Sequence, residues 1–285
     1  MKTLIDELEL VTFDLDDTLA PSKSRINREM AELLIDLSRH ARVGIISGGR
    51  FEQFQSQVLT AIIDAQKGRE GPDLLHQFHL MPTCGTQYYE WVETGWACIY
   101  AENLPESHKE AVIAVVTSGA RELGLWEPTT WGPRIEDRGS QITFSALGQA
   151  APVSAKRAWD PDGTKKERLR AYAAARLPDL EVRSGGSTSV DITRKGVDKA
   201  YGMQRLMDRL GLRQEEVLFV GDRFDVGGND YPVKAIGIHC VAVAKWQDTA
   251  SFIRGLIAEI ETAAGHTCRP RESHPPSHDQ TAATP

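Results

Sequence analysis

The sequence predicts an α/β protein: a parallel sheet covered by helices on both faces, interrupted by a second unit of α+β type. Three observations carry this. Apolar runs of strand length alternate with amphipathic helical stretches at both ends of the chain. The runs at the two ends finish in loops rich in Asp, Ser and Gly. Between them the pattern changes to strands that alternate apolar and polar residues, as antiparallel strands with one buried face do.

Taken in order, "LELVTFD" reads as a buried strand ending at Asp14, β-branched and aromatic. "INREMAELLIDLSRHA" puts Met30, Leu33, Leu34 and Leu37 on one helical face, with Asn27 as N-cap. "RVGIISGG" is a second apolar strand closing on Ser47 and two glycines, and a helix follows from Phe51. "TQYYEWVETGWACIY" reads as an aromatic hairpin turning near Thr94-Gly95. "SHKEAVIAVVTSGARELG" is a helix ending at Gly124, and "SQITFSAL" a half-buried strand. "TKKERLRAYAAARL" opens on a capping box, Thr164 to Glu167, and "STSVDIT" is another strand. The α/β pattern then resumes. "KAYGMQRLMDRLG" is a helix stopping at Gly211, "EVLFVGD" and "HCVAVA" are strands, and "DTASFIRGLIAEIETAAG" is the last helix. The expected division is a discontinuous core of residues 1–87 and 194–265, an inserted domain of 88–193, and a polar, proline-rich, disordered tail of 266–285.

Composition narrows the function. The 285 residues carry 33 Lys and Arg against 40 Asp and Glu, with no long basic run, which argues against nucleic acid or an anionic membrane as partner. No stretch approaches the roughly 20 apolar residues of a membrane span, and the N-terminus lacks a signal-peptide pattern. A cytoplasmic protein is expected. Cys84, Cys98, Cys240 and Cys268 are scattered without a C-x-x-C pair, which suits reduced thiols.

The chemistry concentrates in "VTFDLDDTLAPSKSRI". Asp14, Asp16 and Asp17 repel one another where a strand ends, an arrangement folding does not ask for. A divalent cation there would explain it. Open α/β sheets place their ligands at the carboxyl ends of strands. "SGG" at 47–49 and "GDRFDVGGND" at 221–230 also follow buried strands, so three loops converge on one edge. The third adds Asp222, Asp225 and Asp230. Clustered oxygen ligands suit Mg²⁺. Asp225 is read as a loop residue, Ser47 has the alternative of a plain N-cap, and Lys195 is the rival of Lys199.

With these residues in place the sequence resembles the haloacid dehalogenase-like phosphotransferases. Asp14-Leu15-Asp16-Asp17-Thr18 is similar to their first motif, Ser47 to the second, Lys199 to the third, and Asp222 with Asp230 to the fourth. The resemblance implies a Rossmann-like core with a C2-type cap, subfamily IIB. The branch it most resembles is the eukaryotic-type phosphomannomutases, through "RIEDRGSQITFSALGQ", "GGSTSVDITRKGVDKAYG" and "GDRFDVGGNDYPV".

It further implies an aspartyl-phosphate intermediate on Asp14, with Asp16 as general acid/base, Ser47 donating to the phosphoryl group and Lys199 neutralising charge. Mg²⁺ would lie on Asp14, the backbone carbonyl of Asp16, and Asp222, with Asp230 also in the metal set. Lys23, Gly48, Arg134, Arg138, Ser189 and Asp191 are the implied substrate-binding residues. Asp17 stands where relatives carry glycine and is read as a turn residue.

The pattern departs from the branch in the residues for a substrate's second phosphate. Gln149 and Trp131 stand where it has arginines, with Arg134 close by as a candidate substitute. Lys23 replaces a core arginine, with Arg25 two residues on, and Asp222 replaces an asparagine. The expectation is therefore a sugar-phosphate phosphatase, with phosphomannomutase as the alternative and a non-catalytic sugar-phosphate sensor, disfavoured by the retained Asp14 and Asp16, as the third. A homodimer through the caps is implied by resemblance. The aromatic residues Tyr88, Tyr89, Trp91 and Trp96 are read as cap core or dimer surface in preference to a sugar platform.

Overall fold

The computed structural model describes residues 2–69, 73–185 and 188–267. Two sheets organise it. The first has seven strands: β1 (Leu10–Asp14), β2 (Arg42–Ile46), β3 (Phe78–Met81), β4 (Gln87–Val92), β5 (Gly95–Ala101), β10 (Val217–Gly221) and β11 (His239–Ala242), in the order β11-β10-β1-β2-β3-β4-β5. The five strands from β11 to β3 are parallel; β3, β4 and β5 pair antiparallel. The second sheet is antiparallel: β6 (Ile135–Asp137), β7 (Gln141–Ser145), β8 (Leu180–Ser184) and β9 (Ser189–Arg194), in the order β6-β7-β9-β8.

Side-chain alternation along β1 sends Val11 and Phe13 to one face of the first sheet and Leu10 to the other. Val11 and Phe13 join a core with Met30 and Leu34 of the helix Arg28–Leu37 and Ile253 of the helix Trp246–Thr267. Leu10 packs with Met203, Leu206 and Met207 of the helix Lys199–Leu210. The second sheet has its own core, in which Ile142, Phe144 and Ile192 meet Val112 and Val116 of the helix Glu106–Glu122 and Leu169 of the helix Thr164–Arg176. Among the described residues no helix is long and apolar enough to cross a membrane.

Local signals explain most element ends. Asn27 accepts the Met30 amide at 2.8 Å, as an N-cap should. The Lys199 helix stops at Gly211, which takes the left-handed conformation at φ 68.

Two expectations are corrected. The aromatic hairpin is part of the first sheet, so that sheet runs on to Ala101, beyond the expected edge at 87–88. The reason is an open edge: β3 offers His79 and Leu80 to Glu90 and Tyr89, and the ring of Tyr89 stacks on Phe51 at 3.8 Å. Trp91 and Trp96 pack edge-on at 5.4 Å and join the same core. The capping box at Thr164–Glu167 does not form. Gly163, at φ 75, is the N-cap, and the buried Asp160 carboxylate accepts the amides of Lys165 and Lys166 instead. Glu167 turns outward to Arg170. The last helix extends to Thr267; the rest of the expected tail, with Cys268, lies outside the described residues.

Candidate active site

The carboxyl ends of β1, β2 and β10 bring three loops together. Asp14 ends β1 and is almost fully buried. Lys199 opens its helix, whose N-cap Asp198 accepts the Tyr201 amide at 3.0 Å. That helix lies unusually near the turn after β3: a Cβ on Gly85 would sit 2.4 Å from the Gly202 Cα, and one on Gly202 would sit 2.5 Å from the Cys84 carbonyl oxygen. Two glycines thus let backbone touch backbone, and the first residue of the helix enters the sheet edge. Its ammonium, 1% exposed, lies 2.5 Å from Asp14 Oδ1 and 2.6 Å from Asp230 Oδ1. Lys195, the rival in sequence, is exposed.

The remaining oxygen of Asp230 accepts the backbone amides of Asp222 at 3.1 Å and Arg223 at 3.0 Å. Both Asp230 oxygens are therefore engaged in shaping the loop and holding Lys199. Asp222 is half-buried, and one carboxylate oxygen each from Asp14, Asp222 and Asp230 lies within 4.8 Å of the others. Three carboxylates thus cluster beside one ammonium, which pairs directly with Asp14 and Asp230. Burial pushes the Asp14 carboxyl up to about 7, Lys199 pulls it back, and Asp230 adds to the rise. Asp222 is raised as well, by burial and then by Asp230. Lys199 is raised too, which for an ammonium favours the charged form: burial opposes its charge, but Asp14 and Asp230 outweigh burial and hold the ammonium protonated. The unbalanced negative charge and hard oxygen donors fit a divalent cation such as Mg²⁺, with Asp14 and Asp222 as the side chains free to hold it.

Asp16 lies two residues past Asp14 and is half-buried; its Oδ1 accepts the Lys23 amide at 2.5 Å. Asp17 is exposed in the left-handed region at φ 61 and accepts the Ser22 amide. That conformation, easiest for glycine, accounts for its turn role. Ser47 is buried after β2, with its Oγ accepting the Gly49 amide at 3.1 Å. Asp225 is exposed and paired with Arg223, as expected of a loop residue.

The second sheet faces this edge. Arg138 Nη1 donates to the Gly48 carbonyl at 2.8 Å, while its Nε and Nη2 hold Glu136. The other oxygen of Glu136 meets Arg50 at 3.1 Å. Ser189 and Asp191, two apart on β9, share a face over Gly185: a Cβ there would come within 2.5 Å of Asp191 Oδ2 and 2.7 Å of Ser189 Oγ. Burial pushes the Cys84 thiol up to about 11. Arg134 is turned inward instead: it donates to the Glu127 carbonyl and lies 4.5 Å from the centre of the Trp126 ring. Gln149 donates to Ser145 Oγ at 3.0 Å, and Trp131 is 47% exposed.

Two residues escaped the sequence reading. Glu136 links Arg50 to Arg138 between the two sheets; its signal was the alternation of charge in "RIEDR". Lys156, on the helix Val153–Trp159, donates to the Gln149 carbonyl at 3.1 Å. Nothing in its sequence context marked it out.

Comparison with known proteins points the same way. A family model described as haloacid dehalogenase-like hydrolase matches residues 153–244. The phosphomannomutase of Encephalitozoon cuniculi is 27% identical over 255 residues, covering 86% of this chain and 91% of that protein. The phosphomannomutase of Saccharomyces cerevisiae is 26% identical, covering 79% and 84%. Among solved structures, an N-terminally truncated IMP-nucleotidase of Plasmodium falciparum superposes with a TM-score of 0.67 at 16% identity, covering 89% of this chain and 71% of that one; this likeness concerns the fold.

Proposed function

We propose, for a chain that belongs to the haloacid dehalogenase-like superfamily on its phosphomannomutase-like branch, that its phosphoryl-transfer chemistry acts on a hexose phosphate through an aspartyl-phosphate on Asp14, with water as the acceptor. The observation that carries the transfer is the buried Lys199 ammonium, 2.5 Å from the carboxylate of Asp14 at the open edge of the sheet. It holds the nucleophile in place and offsets charge as the phosphoryl group arrives.

The reaction divides into two halves. In the first, the Asp14 carboxylate attacks phosphorus, the bond from phosphorus to the sugar oxygen breaks, and Asp16 gives that oxygen its proton. In the second, Asp16 takes a proton from water as the water attacks phosphorus, the acyl-phosphate bond breaks, and orthophosphate leaves with Asp14 regenerated. Ser47, whose Oγ accepts the Gly49 amide, keeps its hydroxyl proton to donate to the phosphoryl group, and Asp230 keeps Lys199 and the Asp222 loop in register. Mg²⁺, when held by Asp14, Asp222 and the backbone carbonyl of Asp16, supplies positive charge against these carboxylates and the phosphoryl oxygens. Ser189 and Asp191 are suited to hydrogen-bond sugar hydroxyls from the opposite side.

Water is favoured as acceptor by how the cap arginines are used. A mutase must grip a second phosphate, best with arginine forks. Arg134 is bound to Glu127 and Trp126, Arg138 is bound to Glu136 and Gly48, and Gln149 carries no charge. A second reading, phosphomannomutase, is favoured by relatives matched over 84–91% of their own length. The two are separated by incubating the protein with mannose 1-phosphate and Mg²⁺, with and without glucose 1,6-bisphosphate. Phosphate release that does not depend on the bisphosphate is the expected result. Mannose 6-phosphate formed only in its presence establishes the mutase, and no product from a panel of hexose phosphates overturns both.

A further inference from the structure

Polar side chains cover one face of the second sheet. Ile142 and Phe144 of β7 and Val190 and Ile192 of β9 point into the cap core, so Gln141, Thr143, Ser145, Ser189, Asp191 and Thr193 share the opposite face. That face meets the core: Glu136 of β6, the ladder partner of Thr143, pairs with Arg50. Thr143 is 2% exposed and stands directly opposite Asp191. Gln141 Nε2 donates to Thr143 Oγ1 at 2.9 Å, and Thr143 Oγ1 donates to Asp191 Oδ1 at 2.7 Å. An amide NH2 only donates, so the hydroxyl must accept from Gln141, and its single hydrogen is left for Asp191. Both links of this chain therefore run toward the carboxylate. The other oxygen, Oδ2, lies beside Gly185, where a Cβ would come within 2.5 Å of it. Gly185 is outside the left-handed region, so what its missing Cβ provides is space. Among the described residues no donor holds Oδ2.

We propose that Thr143, itself set by Gln141, is the residue that positions Asp191 for the sugar: it occupies Oδ1 and fixes the side chain so that Oδ2 is presented as an acceptor for a hydroxyl hydrogen of the substrate. This rests on the reading of Asp191 as a residue that meets sugar hydroxyls. An untethered aspartate on a strand samples several rotamers, and holding one of them costs binding energy when a ligand arrives. A hydrogen bond made beforehand to one oxygen, within a buried row, removes that cost. Joining β7 to β9 does not need this link, because the backbone ladder already pairs them from Gln141 to Ser145. The substrate property selected is a hydroxyl that donates, so a ring of the same size without hydroxyls loses the contact.

The test is equilibrium binding by calorimetry, in Mg²⁺, to the full chain carrying Asp14→Asn, which prevents turnover. Mannose 1-phosphate and glucose 1-phosphate are compared with cyclohexyl phosphate, which has a six-membered ring and a phosphate but no sugar hydroxyl. At least one hexose phosphate is expected to bind about tenfold or more tighter than cyclohexyl phosphate. Thr143→Val keeps the branched shape and removes the hydroxyl; it is expected to bring that ratio below about threefold, while Thr143→Ser retains it. Added to Asp191→Ala, which is expected to abolish the preference by itself, Thr143→Val changes the ratio no further. If Thr143→Val does not fold, Gly185→Ala, which crowds Oδ2 instead, is expected to bring the same drop. A preference undiminished by Thr143→Val, or by Gly185→Ala in its place, overturns the proposal, as does a loss in Thr143→Ser equal to that in Thr143→Val. No preference for a hexose phosphate, or one that survives Asp191→Ala, overturns the reading of Asp191 and the proposal with it. Phosphate release by the unsubstituted protein is followed in parallel. Absence of turnover with a Thr143-dependent preference intact removes the phosphoryl-transfer reading alone. Turnover with a preference that depends on Asp191 but not on Thr143 removes this proposal alone.

Discussion

Lys199 and Lys156 carry the same side chain into opposite surroundings. Lys199 is sealed inside the sheet edge between Asp14 and Asp230, and its charge is held despite burial. Lys156 is only partly covered, and its charge is weakened, first by that burial and then by Lys23. Burial alone would rank them the other way. What separates them is the carboxylates, which outweigh burial at Lys199 and have no counterpart among the ion pairs of Lys156. The core edge carries three clustered carboxylates beside one ammonium.

The strongest way to break this comparison is at Asp14. Asp14→Asn removes the nucleophile, and turnover is expected to fall at least about 10⁴-fold. It also removes one of the buried carboxylates that share Lys199. In chelator the melting temperature should therefore rise by a few degrees, on the order of 1 kcal/mol of stability gained. Thermal unfolding in chelator measures this directly; a fall in melting temperature would mean the site is not over-charged with carboxylate. Lys199→Met is the opposite change. It leaves Asp14 and Asp230 buried without a cation, at a cost of about 3–5 kcal/mol. For a chain of this size that is a fall on the order of 10 °C. A Lys199→Met protein as stable as the parent would show that the ammonium is not what balances the edge.

The two sites differ in how far the sequence revealed them. Asp14, Asp16, Ser47, Lys199, Asp222 and Asp230 were legible because each sits at a strand end or helix start, where backbone pattern and residue type coincide. The same logic located the parallel sheet. It misplaced the hairpin, because β4 alternates in the way any antiparallel strand does, and nothing in its own residues says whether the partner is β3 or a cap strand. The capping box failed for a similar reason: Asp160 lies outside the short window in which Thr164 and Glu167 match a pattern, yet it reaches the same amides. Glu136 was not legible because its role depends on contact between the two units. Lys156 is one of three lysines from Gln149 to Lys166 inclusive, and only the fold sets its Nζ on the Gln149 carbonyl. The fate of Arg134 was hidden likewise, since Trp126 and Glu127 claim it from within the cap.

His79 supplies the third case, a buried base whose charged neighbours Glu90, Arg42 and Arg209 count for less than its burial, and it sharpens the comparison by a smaller effect. Tyr88 has one hydroxyl hydrogen, which it donates to Glu90 at 2.5 Å, so at 2.7 Å it must accept from His79 Nδ1–H. Nε2 is then the unprotonated nitrogen, and it is buried without a hydrogen-bond partner. A second proton would have to go there, and burial accordingly lowers the histidine to about 4 from 6.5. An unfolded chain binds that proton between these values and the folded one does not. The contribution is fully present above about pH 6.5 and is lost as the pH falls toward 4, by about 3 kcal/mol in all. His79→Gln keeps a donor for Tyr88 and removes the titration. Denaturant unfolding at pH 7 and pH 4.5 should show the parent losing about 2–3 kcal/mol more than the variant between the two. Equal losses would mean that His79 takes up its proton in the folded state, and that a neighbour, Glu90 first among them, stabilises the charged ring as the carboxylates stabilise Lys199.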